Sequence, residues 1–170
     1  MLFRSSKLLA EAVRELSGEA PTPGVEPVIS VEVEGFVPED YVPEVNQRLA
    51  FYKRLAGAAS DADVDELRLE LLDRYGPLPD PALRLLDIVR IRVAARALGV
   101  EKVEAGEGRA LITFAPSTAV DPRRLVTAVQ ASRGRLKFKR EFTLEASVAR
   151  GEWGAVRDSI LKVLADLGRA

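Results

Sequence analysis

The spacing of apolar residues changes period several times along the chain, and each change marks an element. Leu8, Leu9, Ala12, Val13 and Leu16 recur at helical spacing over residues 3–17, and Gly18 ends the run. The Pro- and Gly-rich stretch GEAPTPGVEP that follows reads as a linker. VISVEVE, residues 28–34, is β-branched and alternating, so it predicts a strand with Glu32 and Glu34 outward. Pro38 and Pro43 forbid a helix through residues 37–42, whereas Pro43 can occupy the first turn of the helix that follows. In that helix Val45, Leu49, Tyr52 and Ala56 form one stripe with Phe51 and Leu55 beside it, leaving Arg48, Lys53 and Arg54 outside.

A second helix is predicted over residues 63–75. Asp63 and Glu66 have the spacing of a capping box, and Gly76-Pro77 ends the helix. At 100° per residue Val64, Leu67, Leu71 and Tyr75 face one way, while Glu66, Glu70 and Asp73 form a solvent-facing acidic stripe on the other side. Asp80-Pro81 starts a third helix that Gly99 closes. Leu86, Val89 and Val93 lie on one of its faces and Ile88, Ile91 and Leu98 on another, so it is expected to be covered from both sides.

The remainder reads β-β-α-β-β-α. Residues 102–115 form a hairpin turning at Gly106-Glu107-Gly108, and Asp121-Pro122 opens a short helix to about Ser132. RLKFKREFTLEA, residues 135–146, predicts a second hairpin with Leu136, Phe138, Phe142 and Leu144 inward. The last helix carries Trp153, Val156, Ile160, Val163, Leu164 and Leu167 on one side. The fold class is therefore α+β, a helical first half packed on a small antiparallel sheet. The division is a leading helix (1–18), a linker (19–27) and a main domain (28–170).

Composition narrows the chemistry. The chain has 170 residues, 47% apolar and 30% charged, with no Cys and no His. That is a globular composition with no disulfide framework, no thiolate zinc site and no imidazole base. No apolar run approaches the roughly 20 residues that span a bilayer, and no signal peptide is evident, so the expected compartment is the cytoplasm. The net charge of −1 is uneven, with 13 basic and 9 acidic residues in 100–170. Nothing matches a phosphate-binding loop, since Gly106-Glu107-Gly108 is a turn whose Glu would repel phosphate. Asp61, Asp63, Asp65 and Glu66 cluster at a helix start, where capping and the helix dipole favour carboxylates without any catalytic role. No catalytic, cofactor or metal residue is identified, and the isolated chain is read as a non-enzyme.

Two surfaces remain. The run RGRLKFKR, residues 133–140, would place Arg135, Lys137 and Lys139 on one strand face, able to track phosphates of DNA. The alternative is an edge strand protected by its cations, which the lack of aromatics on the basic face favours. The acidic stripe Glu66, Glu70 and Asp73 is either a solvated face or a docking surface for a basic partner.

Longer strings carry a resemblance. PEDYVPEVNQRLAFYKRLA, followed by ELRLELLDRYGPLPDPALRLLDIVRIRVAARALGV, resembles the C-terminal domain of the bacterial transcription-repair coupling factors. The likeness runs from about residue 28 to the end, looser after 115, and residues 3–18 resemble the helix that leaves the motor region of those proteins. It implies the C-terminal piece of an ATP-driven DNA translocase that displaces stalled RNA polymerase and recruits the repair protein UvrA. The motor that binds ATP and magnesium would lie outside this chain, which needs no cofactor of its own. For this domain the resemblance implies an autoinhibitory clamp on the UvrB-like module of the same protein, masking the UvrA surface and restraining the motor until polymerase is engaged. The resemblance also implies that acidic residues of this domain take part in that contact, and the matching helix end supplies Glu70 and Asp73.

Overall fold

The computed structural model describes residues 25–169. The helix expected over 3–17 and most of the linker lie outside them. The described residues divide into two units, Val33–Val93 and residues 25–32 with 94–169.

The first unit holds α1 (Val45–Ala56), α2 (Asp61–Tyr75) and most of α3 (Asp80–Ala97). The proline-bracketed stretch before α1 is a turn closed by Tyr41 N and Val42 N donating to Pro38 O. Its conformation is then locked from three sides. Arg48 donates to Val42 O (2.7 Å) and Pro43 O (3.0 Å), Tyr41 Oη donates to Leu71 O (3.1 Å) and Gly76 O (2.8 Å), and Tyr52 Oη accepts from Val37 N (2.9 Å). Arg48, expected outside, is thus a clamp. The apolar stripe of α1 also differs from expectation: Phe51, Tyr52, Leu55 and Ala56 are buried, but Val45 and Leu49 are 58% and 48% exposed. Only the second half of α1 is covered, so the predicted stripe holds at Tyr52 and Ala56 and fails at Val45 and Leu49.

α2 begins with a capping box one turn earlier than predicted. Ser60 is the N-cap, its Oγ accepting from Asp63 N while the Asp63 carboxylate accepts from Ser60 N. Val64, Leu67 and Leu71 are buried as expected. Along α3 both predicted sets are buried at their centres, Leu86 and Val89 on one side and Ile88 and Ile91 on the other.

The second unit is built on a five-stranded sheet in the order β1-β2-β3-β5-β4. Its strands are β1 (Val28–Ser30), β2 (Val100–Gly106), β3 (Arg109–Phe114), β4 (Leu136–Arg140) and β5 (Thr143–Ser147). Both hairpins predicted from alternation are present, and β2 through β4 pair antiparallel. β1 is shorter than its pattern and joins the sheet edge in parallel, Ile29 opposite Val103. Helices α4 (Pro122–Ala131) and α5 (Trp153–Arg169) complete a mixed α+β architecture. α5 buries Ile160, Leu164 and Leu167, whereas α4 has no buried residue.

Candidate functional site

The acidic stripe lies on α2, and the tertiary structure divides it. Glu70 is not a free carboxylate: Arg54 from α1 approaches it at 2.6 Å and Arg74 at 3.3 Å. Both guanidiniums also sit over aromatic rings, Arg54 5.7 Å from the Phe51 centroid and Arg74 5.4 Å from that of Tyr75. Phe51 and Tyr75 meet edge-on at 6.2 Å. Glu70 is therefore the centre of a charged and aromatic seam joining α1 to α2.

Glu66 and Asp73 are exposed and make no ion pair among the described residues. Nearby, Asp65 and Asp61 are paired with Arg90. Between Glu66 and Asp73 the helix displays Leu69, 53% exposed, and Leu72, 41% exposed. Sequence reasoning passed over these two leucines. The signal was present, because Leu69 follows Glu66 by three residues and precedes Asp73 by four, which puts all three on one side of a helix. The result is a small apolar ridge flanked by two free carboxylates.

Three carboxyls of α2 are held below their ordinary values. Glu70 is lowered chiefly by the hydrogen bond from Arg54, with Arg74 adding to it; Asp65 by Arg90; and Asp63 by the backbone N–H of Ala59. A carboxyl whose pKa is lower when folded stabilises the fold above its unfolded value, and that contribution is lost as the pH falls through the folded value. The urea midpoint should accordingly drop from about pH 5 downward. Glu70→Gln should give a shallower drop, and equal slopes for the variant and the parent would show that the seam does not titrate with folding.

The basic hairpin also differs from its pattern. Arg135 precedes β4 and turns its Nε to Ser132 O at 3.1 Å. Lys137 stands opposite Glu145, but the register shifts between Phe138 and Arg140, so Lys139 falls in the irregularity and pairs with Glu145 at 3.1 Å. The three cations do not form one even row. Phe138 and Phe142, expected inward, are 52% and 47% exposed. β4 is the edge of the sheet, and Phe142 lies in the turn before β5, where strand alternation does not apply.

No group of three or more His, Cys, Asp or Glu side chains able to hold a metal occurs among the described residues. A groove of about 530 Å³ in the second unit is lined by Ala128, Leu136 and Val163 and includes Ser132 and Ser159. Their hydroxyls donate to Val129 O (2.6 Å) and Ala155 O (2.8 Å). No described helix is long and apolar enough to cross a membrane.

A five-stranded mixed sheet with helices, together with a Pro-bracketed Tyr and an acidic helix in the same chain, defines an α+β protein. The family model for the TRCF domain matches residues 31–125. The transcription-repair-coupling factor of Myxococcus xanthus is 34% identical over 166 residues, covering 95% of this chain and 14% of that protein. That of Escherichia coli is 42% identical over 102 residues, covering 60% of this chain and 9% of that protein. A crystal structure of the C-terminal domain of transcription-repair coupling factor superposes with a TM-score of 0.73 over 88% of this chain and 96% of that one, at 19% identity, a likeness of fold. The chain belongs to the transcription-repair-coupling factor family and spans about a seventh of the length of its Myxococcus relative.

Proposed function

We propose that this chain is a regulatory protein-interaction domain. In the full-length factor it clamps the UvrB-like module, masks the surface that UvrA would use and restrains the DNA translocase until RNA polymerase is engaged. It carries no catalytic residue and binds no cofactor itself. The observation that carries the reading is the α2 face, where the free carboxylates Glu66 and Asp73 flank exposed Leu69 and Leu72. Burying exposed apolar surface such as Leu69 and Leu72 favours a contact, and charges around it steer a basic partner and fix its register. Glu70 supports this face by holding α2 against α1.

The division of the stripe decides the test. Reversing Glu70 would disturb the seam as well as any docking, so Glu66→Lys with Asp73→Lys is the informative pair. Both side chains are exposed, and such changes usually alter stability by less than about 0.5 kcal/mol. In the full-length factor without polymerase, the double variant should bind UvrA about tenfold more tightly, because the open form gains population. Circular dichroism and the melting temperature should stay at the parent values. Normal folding with unchanged UvrA affinity would make the stripe a solvated face.

A further inference from the structure

The β4–β5 hairpin combines features that edge protection does not require. Lys and Arg side chains suffice to keep an exposed strand from pairing with another chain. Here two half-exposed phenylalanines, Phe138 and Phe142, accompany them. Phe142 adopts a left-handed conformation, φ 58°, which bulky residues rarely do. Its carbonyl anchors the turn by accepting from Phe114 N at 2.7 Å, so its ring is displayed from a fixed backbone. Residues 133–142 hold five cations, Arg133, Arg135, Lys137, Lys139 and Arg140, against one carboxylate, Glu141. Lys139 is tied to Glu145, while Arg133, Lys137 and Arg140 make no ion pair among the described residues.

We propose that this hairpin is a binding site for single-stranded nucleic acid. Along the open edge of β4 the free cations Lys137 and Arg140 lie on the face of Glu145 and Thr143, and Phe138 lies on the face of Leu144. A single strand running along that edge sets its phosphates against Arg133, Lys137 and Arg140 on one side and stacks its bases on Phe138 and Phe142 around the edge. Stacking on two displayed rings calls for unpaired bases, which a duplex does not offer. An acidic peptide would use the cations but leave the two rings without a role. The hairpin belongs to the second unit, and its assignment does not rest on the clamp reading.

The test is fluorescence anisotropy of a labelled oligo-dT of about twenty nucleotides with the whole 170-residue chain. At about 50 mM salt the complex should be in the micromolar range, and three phosphate contacts predict a log–log salt slope near −2. Phe138→Leu with Phe142→Leu keeps the positions apolar and removes the rings; it should weaken binding roughly tenfold without changing the slope. Lys137→Gln with Arg140→Gln should flatten the slope by about 1.4. Circular dichroism checks that each variant folds. Absence of binding overturns the proposal, as does a leucine pair that binds like the parent. Equal competition by polyglutamate would assign the hairpin to acidic peptides instead, and a duplex bound as tightly as the single strand would reduce it to unspecific charge.

Discussion

Replacing Arg92 by Ala should destabilise the first unit by about 3–4 kcal/mol, a large effect for a residue that takes part in neither candidate surface. Arg92 is only 4% exposed, and its guanidinium donates to Leu55 O (3.3 Å), Ala56 O (2.7 Å) and Ala58 O (3.2 Å). Those carbonyls lie at and just past the C-terminus of α1, where helical partners run out and the dipole favours a cation. Hydrogen bonds from a charged donor are worth about 1.5–3 kcal/mol each but are not additive, and truncation also strands buried acceptors. Arg92→Lys should recover part of the loss, because one ammonium reaches some of the three carbonyls without matching the guanidinium fork. The measurement is urea unfolding of the parent and both variants. A midpoint for Arg92→Ala within error of the parent would mean water replaces the guanidinium at no cost.

Gly35→Ala should be of similar size, roughly 3 kcal/mol, for a steric reason. An added methyl would stand 2.5 Å from Leu85 N and 2.6 Å from Leu85 Cα, which are backbone atoms of α3 and cannot rotate away. Nor can the segment itself slide. Glu34 O accepts from Arg84 Nε at 2.7 Å and Phe36 N donates to Pro81 O at 3.0 Å, pinning both neighbours of Gly35 to the start of α3. Gly134→Ala is the control, since its φ of 86° strains any side chain while nothing lies within 4 Å. It should lose only about 1 kcal/mol, the cost of the left-handed conformation alone. If the two glycines proved equally tolerant, close approach would not be the constraint at Gly35.

Several elements were legible in the chain because local chemistry suffices to define them. Asp80-Pro81 and Asp121-Pro122 start helices, and the Asp121 side chain does accept from Arg123 N. Gly99 and Gly108 take left-handed backbone at the stops and turns assigned to them, with φ of 68° and 82°. Alternation over residues 102–115 gave the first hairpin, observed over 100–114, and the inward face of α2 followed from a period of 3.6. The strings around Asp40-Tyr41 and Asp73-Arg74-Tyr75-Gly76 carried the family.

What the amino-acid order determined by itself, then, is the type and order of the elements among the described residues, many of their starts and stops, and the presence of an acidic helix face and a basic hairpin. These depend on caps, turns and periodicity within a few residues. What only the tertiary structure decided is the state of each side chain on those surfaces. Glu70, Glu66 and Asp73 are equivalent on a helical wheel, yet Arg54 on a different helix takes up the first and leaves the other two free. Arg48 and Arg92 look like ordinary surface cations in sequence, yet each finds backbone carbonyls that a distant turn or helix end leaves unpaired. Phe138 fits an inward pattern, yet its strand lies at the edge of the sheet. Burial and pairing are set by what arrives from elsewhere in the chain, and a pattern with a period of two or 3.6 residues contains no record of that neighbour.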